Sequence, residues 1–477
     1  MTQENAEQLE IQELHIIAES SHAPLADKKH RGGMKEMLSI AVPMMISLSF
    51  DSVMTFVDRL FLSRIGSEQM NAAMVGGLAS FASATFFFGL IGYSTAMVAQ
   101  RFGSGKKKET GAVTSHAFII ALIAWPILIG LRPVMHMIFR KSGIDPIQLE
   151  PQILYFDMLI FASIIPLLRH SLSSFFSGIG ETKIIMKASI TGVIVNFTLN
   201  YILIFGHFGF PSMGIKGAAI GTIIGGACSV LILLFEFLKT TRRLNFGTSF
   251  RIKFKKNIFK DLIKLGTPMG GEMFLNMIAF QGMIMLFHSK GLAVATASTI
   301  MFNWDMVTFV PLMGIETGVT SLVGRYVGAK DIHAIKRSIF SGLRVGWIFT
   351  AFVFVAFLIF PDVLVNFFRP DPVDQIFLDS FDLAVFMIKV ASIYITIEAF
   401  MVVFAGALRG SGDTFWTMGA MAVIHWTLVG ILYILLIRLN LGGETAWLAL
   451  VIMFMIFPAV LYLRWRSGRW KKAVFDK

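Results

Sequence analysis

Twelve long apolar stretches divide this sequence, and each is close to the length that crosses a lipid bilayer. A membrane-spanning helix needs about 20 mostly apolar residues. The stretches cover residues 37–62, 71–98, 112–138, 153–177, 184–206, 214–238, 262–288, 292–323, 340–360, 383–408, 415–437 and 444–463. They must be helical, because lipid offers the backbone no hydrogen-bond partner. We predict an all-α integral membrane protein with twelve transmembrane helices, called spans 1 to 12.

Composition and charge support a membrane protein over a nucleic-acid-binding one. The chain of 477 residues is 55% hydrophobic and 15% charged, whereas soluble domains are about 25% charged. The net charge is +12, but the basic residues lie between apolar stretches instead of covering a polar domain, so we expect no nucleic-acid partner. A lone cysteine, Cys228, excludes a disulfide framework.

The distribution of Lys and Arg predicts the orientation, because cytoplasmic loops are enriched in both. Of the 42 basic residues, 31 fall in the two tails and in the loops that follow spans 2, 4, 6, 8 and 10, and nine fall on the opposite side. Arg409 is counted here with the loop after span 10. We predict a multi-pass plasma-membrane protein, in the inner membrane of a Gram-negative source, with both termini in the cytoplasm.

The second half of the sequence repeats the first. At an offset of 225 the matching pairs include Pro43 with Pro268, Gly89 with Gly314, Val98 with Val323 and Gly103 with Gly328. At an offset of 232, Gly178 and Gly180 match Gly410 and Gly412. The predicted units are a polar tail (1–36), an N-lobe with spans 1–6 (37–238), a basic linker (239–261), a C-lobe with spans 7–12 (262–465) and a basic tail (466–477).

Two six-helix units that insert in the same direction form a parallel repeat, which is typical of transporters that bind substrate at the repeat interface. The run Gly103–Lys107 lacks the first glycine and the Ser or Thr of a phosphate-binding loop. We therefore expect no nucleotide-driven motor and no cofactor, and an ion gradient would drive transport.

Acidic residues inside the spans are functional candidates, because a charge at the centre of a membrane helix costs about 2.5–3.5 kcal/mol. Eight acids lie inside or at the edges of spans: Asp51, Asp58, Asp157, Glu236, Glu272, Asp305, Glu316 and Glu398. Only Arg169 and Lys389 are predicted to oppose them within spans. This excess of acid predicts an interior that attracts cations, in which Glu272, Asp305 and Glu316 are possible cavity residues.

Asp58 and Glu398 are the strongest candidates. Asp58 is either a functional carboxylate or the partner of Arg59 in an ion pair at the membrane rim. Glu398 has Tyr394 one turn earlier, and we expect that phenol to donate a hydrogen bond to the Glu398 carboxylate. Asn196 and Asn200 are spaced to share one helix face, where they could ligate a cation, hold a carboxylate or bond neighbouring helices.

Several of these residues form motifs that resemble a known family. They are Pro43 with Val57-Asp58 and Gly66, Gln100-Arg101-Phe102-Gly103, Asn196-x-x-x-Asn200, and the run from Ala407 to Thr414. Together they resemble the multidrug and toxic compound extrusion (MATE) family over residues 36–465. Tyr394 and Glu398 stand where the NorM-like branch has a Tyr and an acid.

The resemblance implies an antiporter that exports organic cations in exchange for Na⁺ or H⁺, built from two six-helix lobes. It implies an N-lobe ion site at Asp58, Asn196, Asn200 and Thr222, and a C-lobe site at Tyr394 and Glu398. NorM-like proteins carry a Glu on helix 7 where this chain has Asn276. Glu272, one turn earlier, could compensate for that missing carboxylate.

Other functions fit the sequence less well. A lipid-linked saccharide flippase of the polysaccharide-export type would need a cationic cavity for diphosphate, and here acids outnumber bases. An integral-membrane enzyme would need clustered His or Asp, whereas the histidines are scattered over four spans. A channel would not drive uphill export. We expect a monomer without enzymatic activity, whose partners are small organic cations and the lipid bilayer.

Overall fold

The chain is helical throughout the part that its computed structural model describes, residues 30–142, 145–244, 246, 254–370, 373 and 375–471. No strand occurs in those ranges. Within the described ranges, eleven helices are long and apolar enough to cross a membrane, and a bent helix pair makes twelve when it is counted as one span. The predicted all-α membrane fold is confirmed. The labels α1 to α12 below follow spans 1 to 12.

The spans of the first half are α1 Met34–Ser63, α2 Ser67–Gly92 with Ser94–Gly103, α3 Lys107–Gly130 with Arg132–Lys141, α4 Pro146–Phe161 with Ile164–Ile179, α5 Thr182–Phe205 and α6 Ile215–Arg243. Those of the second half are α7 Lys256–His288, α8 Leu292–Gly328, α9 Ile332–Ile359, α10 Gln375–Ser411, α11 Thr414–Tyr433 and α12 Gly443–Phe454 with Ile456–Arg466. Three short elements are Pro361–Asn366, the π-helical turn Ile434–Arg438 and the 3₁₀ turn Arg469–Lys471.

The predicted linker 239–261 is partly helical, since α6 continues to Arg243 and α7 already begins at Lys256. Residues 245 and 247–253 of this linker, most of the N-terminal tail (1–29) and the last six residues (472–477) lie outside the described ranges. The proposed division into two lobes and three connecting segments stays a prediction.

Three spans are interrupted just before a proline. The breaks at Leu131, at Ala162–Ser163 and at Met455 precede Pro133, Pro166 and Pro458 by two to four residues. Proline has no N–H for the carbonyl four residues earlier, and its ring presses on that carbonyl. The break in α4 turns its two parts by 46°. The sequence-based spans treated all three as continuous helices.

The two halves meet in a close backbone contact at the ends of α2 and α8, here called the seam. A Cβ on Gly103 would lie 1.8 Å from the Arg325 carbonyl oxygen, and one on Gly328 would lie 2.0 Å from that of Gln100. The offset of 225 converts one contact into the other, so the predicted repeat relates the two sides of the seam. Gln100 Nε2 also donates to the Gly410 carbonyl oxygen at 2.8 Å.

A buried polar cluster reinforces the seam from the start of α1. Glu36 accepts hydrogen bonds from Arg325 Nη1 at 3.1 Å, Tyr326 Oη at 2.6 Å and the Gly32 backbone N–H at 2.8 Å. Met37 on α1 packs in the same apolar core as residues of α8, α9 and α10. The chain is therefore closed at the end predicted to be cytoplasmic.

Candidate functional site

The eight acids of the spans separate into two groups according to their charged partners. Five form ion pairs: Asp51 with Arg169, Asp157 with Arg132, Glu236 with Lys239, and both Glu272 and Glu316 with Arg409. For Asp58, Asp305 and Glu398, no Lys, Arg or His nitrogen of the described residues lies within 4.0 Å. An unpaired carboxylate in a membrane span is the kind that a transported cation can neutralise.

In the N-lobe, Asp58 lies at the centre of a polar cluster formed by α1, α5 and α6. Its side chain is 4% exposed. Asn200 Nδ2 donates to Asp58 Oδ1, and Thr222 Oγ1 donates to Asp58 Oδ2 at 2.9 Å. Asn196 joins them, with its Nδ2 donating to Thr222 Oγ1 at 3.3 Å and its Oδ1 accepting from Asn200 at 3.3 Å. The structure thus brings together all four residues of the predicted N-lobe site.

Small residues on α6 allow this cluster to form. Asn196 and Asn200 are one turn apart on α5, so their amides point to the same neighbouring helix. A Cβ at Gly221 of α6 would lie 2.0 Å from Asn200 Oδ1, and one at Gly225 would lie 2.9 Å from Asn196 Cβ. Glycine at both positions therefore lets α6 approach α5 closely enough for Thr222 to reach Asp58.

The amides of this cluster hold a carboxylate in the structure. Asn200 presents its nitrogen to Asp58, while its Oδ1 atom is buried without a hydrogen-bond partner among the described residues. The same side chains carry the hard oxygen donors that Na⁺ prefers: two carboxylate oxygens, two amide oxygens and a hydroxyl. Rotation of the Asn196 and Asn200 amide groups would present their oxygens, which accept, in place of their nitrogens, which donate. No group of three His, Cys, Asp or Glu in the described ranges forms a metal site.

In the C-lobe, Tyr394 bonds a different acid from the predicted one. Its hydroxyl donates to Asp305 Oδ1 of α8 at 2.5 Å, with no hydrogen bond to Glu398 in the described structure. The expectation of a Tyr394–Glu398 bond is therefore wrong, because α8 carries a competing carboxylate into reach of the phenol. Glu398 is 5% exposed, and its Oε2 atom has no partner among the described residues.

Glu272 and Glu316 do not add free carboxylates to this C-lobe site. Arg409 Nη2 bonds Glu272 Oε1 at 2.6 Å, and Arg409 Nη1 bonds Glu316 Oε1. The expectation that Glu272 could stand in for the acid missing at Asn276 is not met in the structure, since Glu272 is paired with a guanidinium. Asn276 Oδ1 is buried and has no partner among the described residues.

Arg409 is a residue whose position the sequence reasoning assigned incorrectly. The sequence places it in the cytoplasmic loop after span 10, but α10 continues to Ser411, so Arg409 lies in the last turn of that helix. The prediction that Arg169 and Lys389 are the basic residues opposing the membrane acids is likewise wrong, since Arg132 and Arg409 form ion pairs with these acids. The sequence contains a signal for this pairing. Glu272 and Glu316 lie in predicted spans and need a cation, and Arg409 is the basic residue at the end of span 10.

A model of a known family matches both halves of the chain. The family described as MatE aligns with residues 43–202 and 268–435. The two matched segments correspond to the two halves of the predicted repeat, and together they cover more than half of the sequence. The resemblance inferred from the motifs is confirmed.

Curated relatives of similar length are named as multidrug resistance proteins. The chain is 27% identical to the multidrug resistance protein NorM of Photobacterium profundum over 80% of this chain and 83% of that protein. It is 26% identical to the multidrug resistance protein NorM of Vibrio cholerae over 89% and 93%. It is also 24% identical to the multidrug resistance protein MdtK of Photorhabdus laumondii over 82% and 87%.

Solved structures share the fold. A MOP superfamily transporter from Pyrococcus furiosus superimposes with a TM-score of 0.82 at 20% identity, covering 92% of this chain and 96% of that one. A multidrug resistance MATE family transporter in an outward-facing conformation gives a TM-score of 0.82 at 21% identity, covering 92% and 97%. With the family model matched in both halves and relatives named NorM along most of its length, the chain belongs to the MatE family and is NorM-like.

Proposed function

We propose that this protein is a secondary active antiporter that exports organic cations in exchange for Na⁺ or H⁺. The observation that carries this proposal is the group of three carboxylates, Asp58, Asp305 and Glu398, that have no ion-pair partner in the described structure. They lie in apolar helices of both halves of a repeated transporter fold. The relatives named as multidrug resistance proteins support the same function.

Competition between ion and substrate would couple the two flows. Empty and charged, the carboxylates favour an organic cation. Binding of Na⁺ or H⁺ at Asp58 or Glu398 neutralises a carboxylate and weakens its hold on the drug. An ion shifts the conformational balance only if its affinity differs between the two states. The closed seam corresponds to a state in which the predicted cytoplasmic end is sealed, and opening requires the Gly103–Arg325 and Gly328–Gln100 contacts to separate.

The flippase alternative is not favoured. A diphosphate substrate needs basic groups that are free to bind it. Three arginines of the spans, Arg132, Arg169 and Arg409, are paired with carboxylates. Asp58, Asp305 and Glu398 have no ion-pair partner among the described residues, and their negative charges repel phosphate.

We expect no enzymatic activity, since the relatives are named as multidrug resistance proteins. Two of the span histidines, His116 and His425, form hydrogen bonds with the backbone. His116 contacts the Ala112 carbonyl oxygen at 2.6 Å and accepts from the Lys255 N–H at 2.9 Å. His425 contacts the Met421 carbonyl oxygen at 2.8 Å. Neither imidazole is placed beside a nucleophile.

The test of the proposed function is transport of ethidium, a fluorescent organic cation, by the purified full chain in proteoliposomes. Gradients of Na⁺ and of pH are imposed separately. We expect ethidium to accumulate against its concentration gradient under at least one of them. Movement only down its own gradient would indicate a channel, and no movement under any gradient would overturn the proposal.

Orientation is a separate prediction: both termini are cytoplasmic, and the chain is a monomer in the plasma membrane. Single cysteines introduced near residues 20 and 475, in a variant with Cys228 replaced by alanine, should resist an impermeant thiol reagent in intact cells. After the cells are made permeable, both should react. A cysteine near Phe208, in the loop between α5 and α6, is the matched control and should react in intact cells. Reaction of either terminal cysteine in intact cells would reverse the topology.

A further inference from the structure

The ion pairs of Arg409 differ from the other ion pairs inside the spans because the charges do not balance. One guanidinium bonds two carboxylates, Glu272 and Glu316, so the group carries a net charge of −1. The exposed fractions of the three side chains are 11%, 1% and 14%. Each carboxylate contacts Arg409 through Oε1 alone, which leaves its second oxygen without a hydrogen bond to the described residues. We call these three residues the Arg409 triad.

The repeat supplies an internal comparison. The position equivalent to Glu272 at the offset of 225 is Ser47, which bonds Ser189 at 2.6 Å. Ser189 in turn accepts from Arg169 at 2.7 Å, and Arg169 bonds Asp51 at 2.9 Å. That N-lobe network holds one acid and one base and is neutral. The surplus negative charge is therefore particular to the C-lobe.

The triad stands on the same helix faces as the C-lobe acids. Glu316 follows Asp305 by eleven residues on α8, and Arg409 follows Glu398 by eleven residues on α10. Eleven residues are about three turns and about 16 Å along a helix. On both helices the triad is thus displaced from the Asp305–Glu398 pair towards the seam. Asn276, with its unpartnered Oδ1, is one turn from Glu272 on α7, on the side away from the seam.

The triad also adjoins the contacts between the two halves. A Cβ on Gly89 would lie 2.6 Å from Gly270 Cα, and one on Gly314 would lie 2.6 Å from the Met45 nitrogen. Glu272 and Glu316 each follow such a contact on α7 and α8 by two residues. A change of charge in the triad therefore occurs where α7 and α8 cross α2 and α1.

We propose that the Arg409 triad is a second proton-binding site, which receives the exchanged proton after the Asp305–Glu398 pair and releases it towards the seam. The proposal rests on the antiport function proposed above. A proton on Glu272 or Glu316 leaves one carboxylate for Arg409 and makes the group neutral. We assign the site to a proton because a proton binds a single carboxylate oxygen, whereas Na⁺ needs several oxygen ligands and Arg409 already holds one oxygen of each carboxylate.

Among the described residues, Arg409 is the basic partner within 4.0 Å of the Glu272 and Glu316 carboxylates. At the nearby helix crossings, a Cβ on Gly270, Gly271 or Gly314 would lie nearest to Phe86, Met418 or Met45, none of which is charged. On α7 the nearest ionisable neighbour is Lys264, eight residues from Glu272, and Asp413, which follows α10, is paired with Arg464 at 2.7 Å. In the described structure, Arg409 is thus the basic group that faces the two carboxylates.

The test compares two activities of the full chain in proteoliposomes with ethidium as the probe. One is accumulation driven by a pH gradient, and the other is exchange of ethidium across the membrane at equal pH. Glu272→Gln and Glu316→Gln each fix the triad in its neutral state. We expect either change to lower driven accumulation by about 5- to 150-fold, the usual range of coupling between two sites. Exchange should stay within about twofold, because it needs no net proton transfer.

Glu236→Gln is the matched control, since Glu236 is a half-exposed acid with Lys239 at 3.6 Å, and it should leave both activities unchanged. If Glu272→Gln does not fold, the more accessible Glu316→Gln decides. Driven accumulation at the wild-type rate in either variant would overturn the proposal, as would equal losses of both activities. A wild-type protein that responds to Na⁺ and not to pH would overturn it while leaving the antiport function intact.

Discussion

Asp58→Asn should abolish ethidium export while the protein remains folded and inserted. Transport should fall at least about tenfold, because the variant has no N-lobe charge for an ion to neutralise. The asparagine fits the site: its oxygen can accept from Asn200, and its nitrogen can donate to Thr222. Thr222 Oγ1 is itself 3.0 Å from the Ala218 carbonyl oxygen and can donate there instead. The measurements are transport in proteoliposomes and thermal unfolding of the purified chain.

Asp51→Asn is the matched contrast for Asp58→Asn, on the same helix and two turns earlier. It removes the carboxylate that bonds Arg169 at 2.9 Å. A guanidinium left without its acid should destabilise the fold by about 1–3 kcal/mol. Wild-type transport by Asp58→Asn would remove Asp58 from the ion site. A stability loss in Asp58→Asn equal to that of Asp51→Asn would make its role structural.

The fold could be predicted almost completely because membrane helices are encoded locally. Twenty apolar residues in a row specify a span without reference to the rest of the chain. The repeat pairs, such as Gly103 with Gly328, were also visible in the sequence, and the structure places both in the seam. The helix breaks before Pro133, Pro166 and Pro458 were overlooked, although proline is a local signal.

The ion site could be predicted only in part, because the charge of a buried carboxylate depends on distant residues. Asp58 and its amide partners follow from family motifs. The partner of Glu272 is 137 residues away, and that of Glu316 is 93 residues away. No spacing rule connects them, so the sequence does not show which of the eight membrane acids are held in ion pairs. Tyr394 had two acids within possible reach, and packing of α8 against α10 selects Asp305.

The second large effect is expected from Glu398→Gln, in which ethidium binding should no longer depend on the coupling ion. Glu398 is buried on α10 beside Asp305, and its Oε2 atom has no hydrogen bond to the described residues. Water or a transported cation must therefore stabilise its charged form. Glutamine makes the position permanently neutral, as if the ion were bound. Ethidium affinity, measured by fluorescence titration across pH and Na⁺ concentration, should lose its dependence on both, and driven transport should fall at least about tenfold.

Asn276→Glu provides the opposite change on α7. It restores the acid that the NorM-like branch carries there, at a position one turn from Glu272. Three carboxylates contributed by α7, α8 and α10 attract Na⁺ more strongly than two do. The Na⁺ dependence of ethidium transport should therefore increase in this variant when Glu398 is intact. Conversely, normal export by Glu398→Gln with an unchanged ion response would assign the coupling to Asp58, Asn196 and Asn200, and the C-lobe assignment would be wrong.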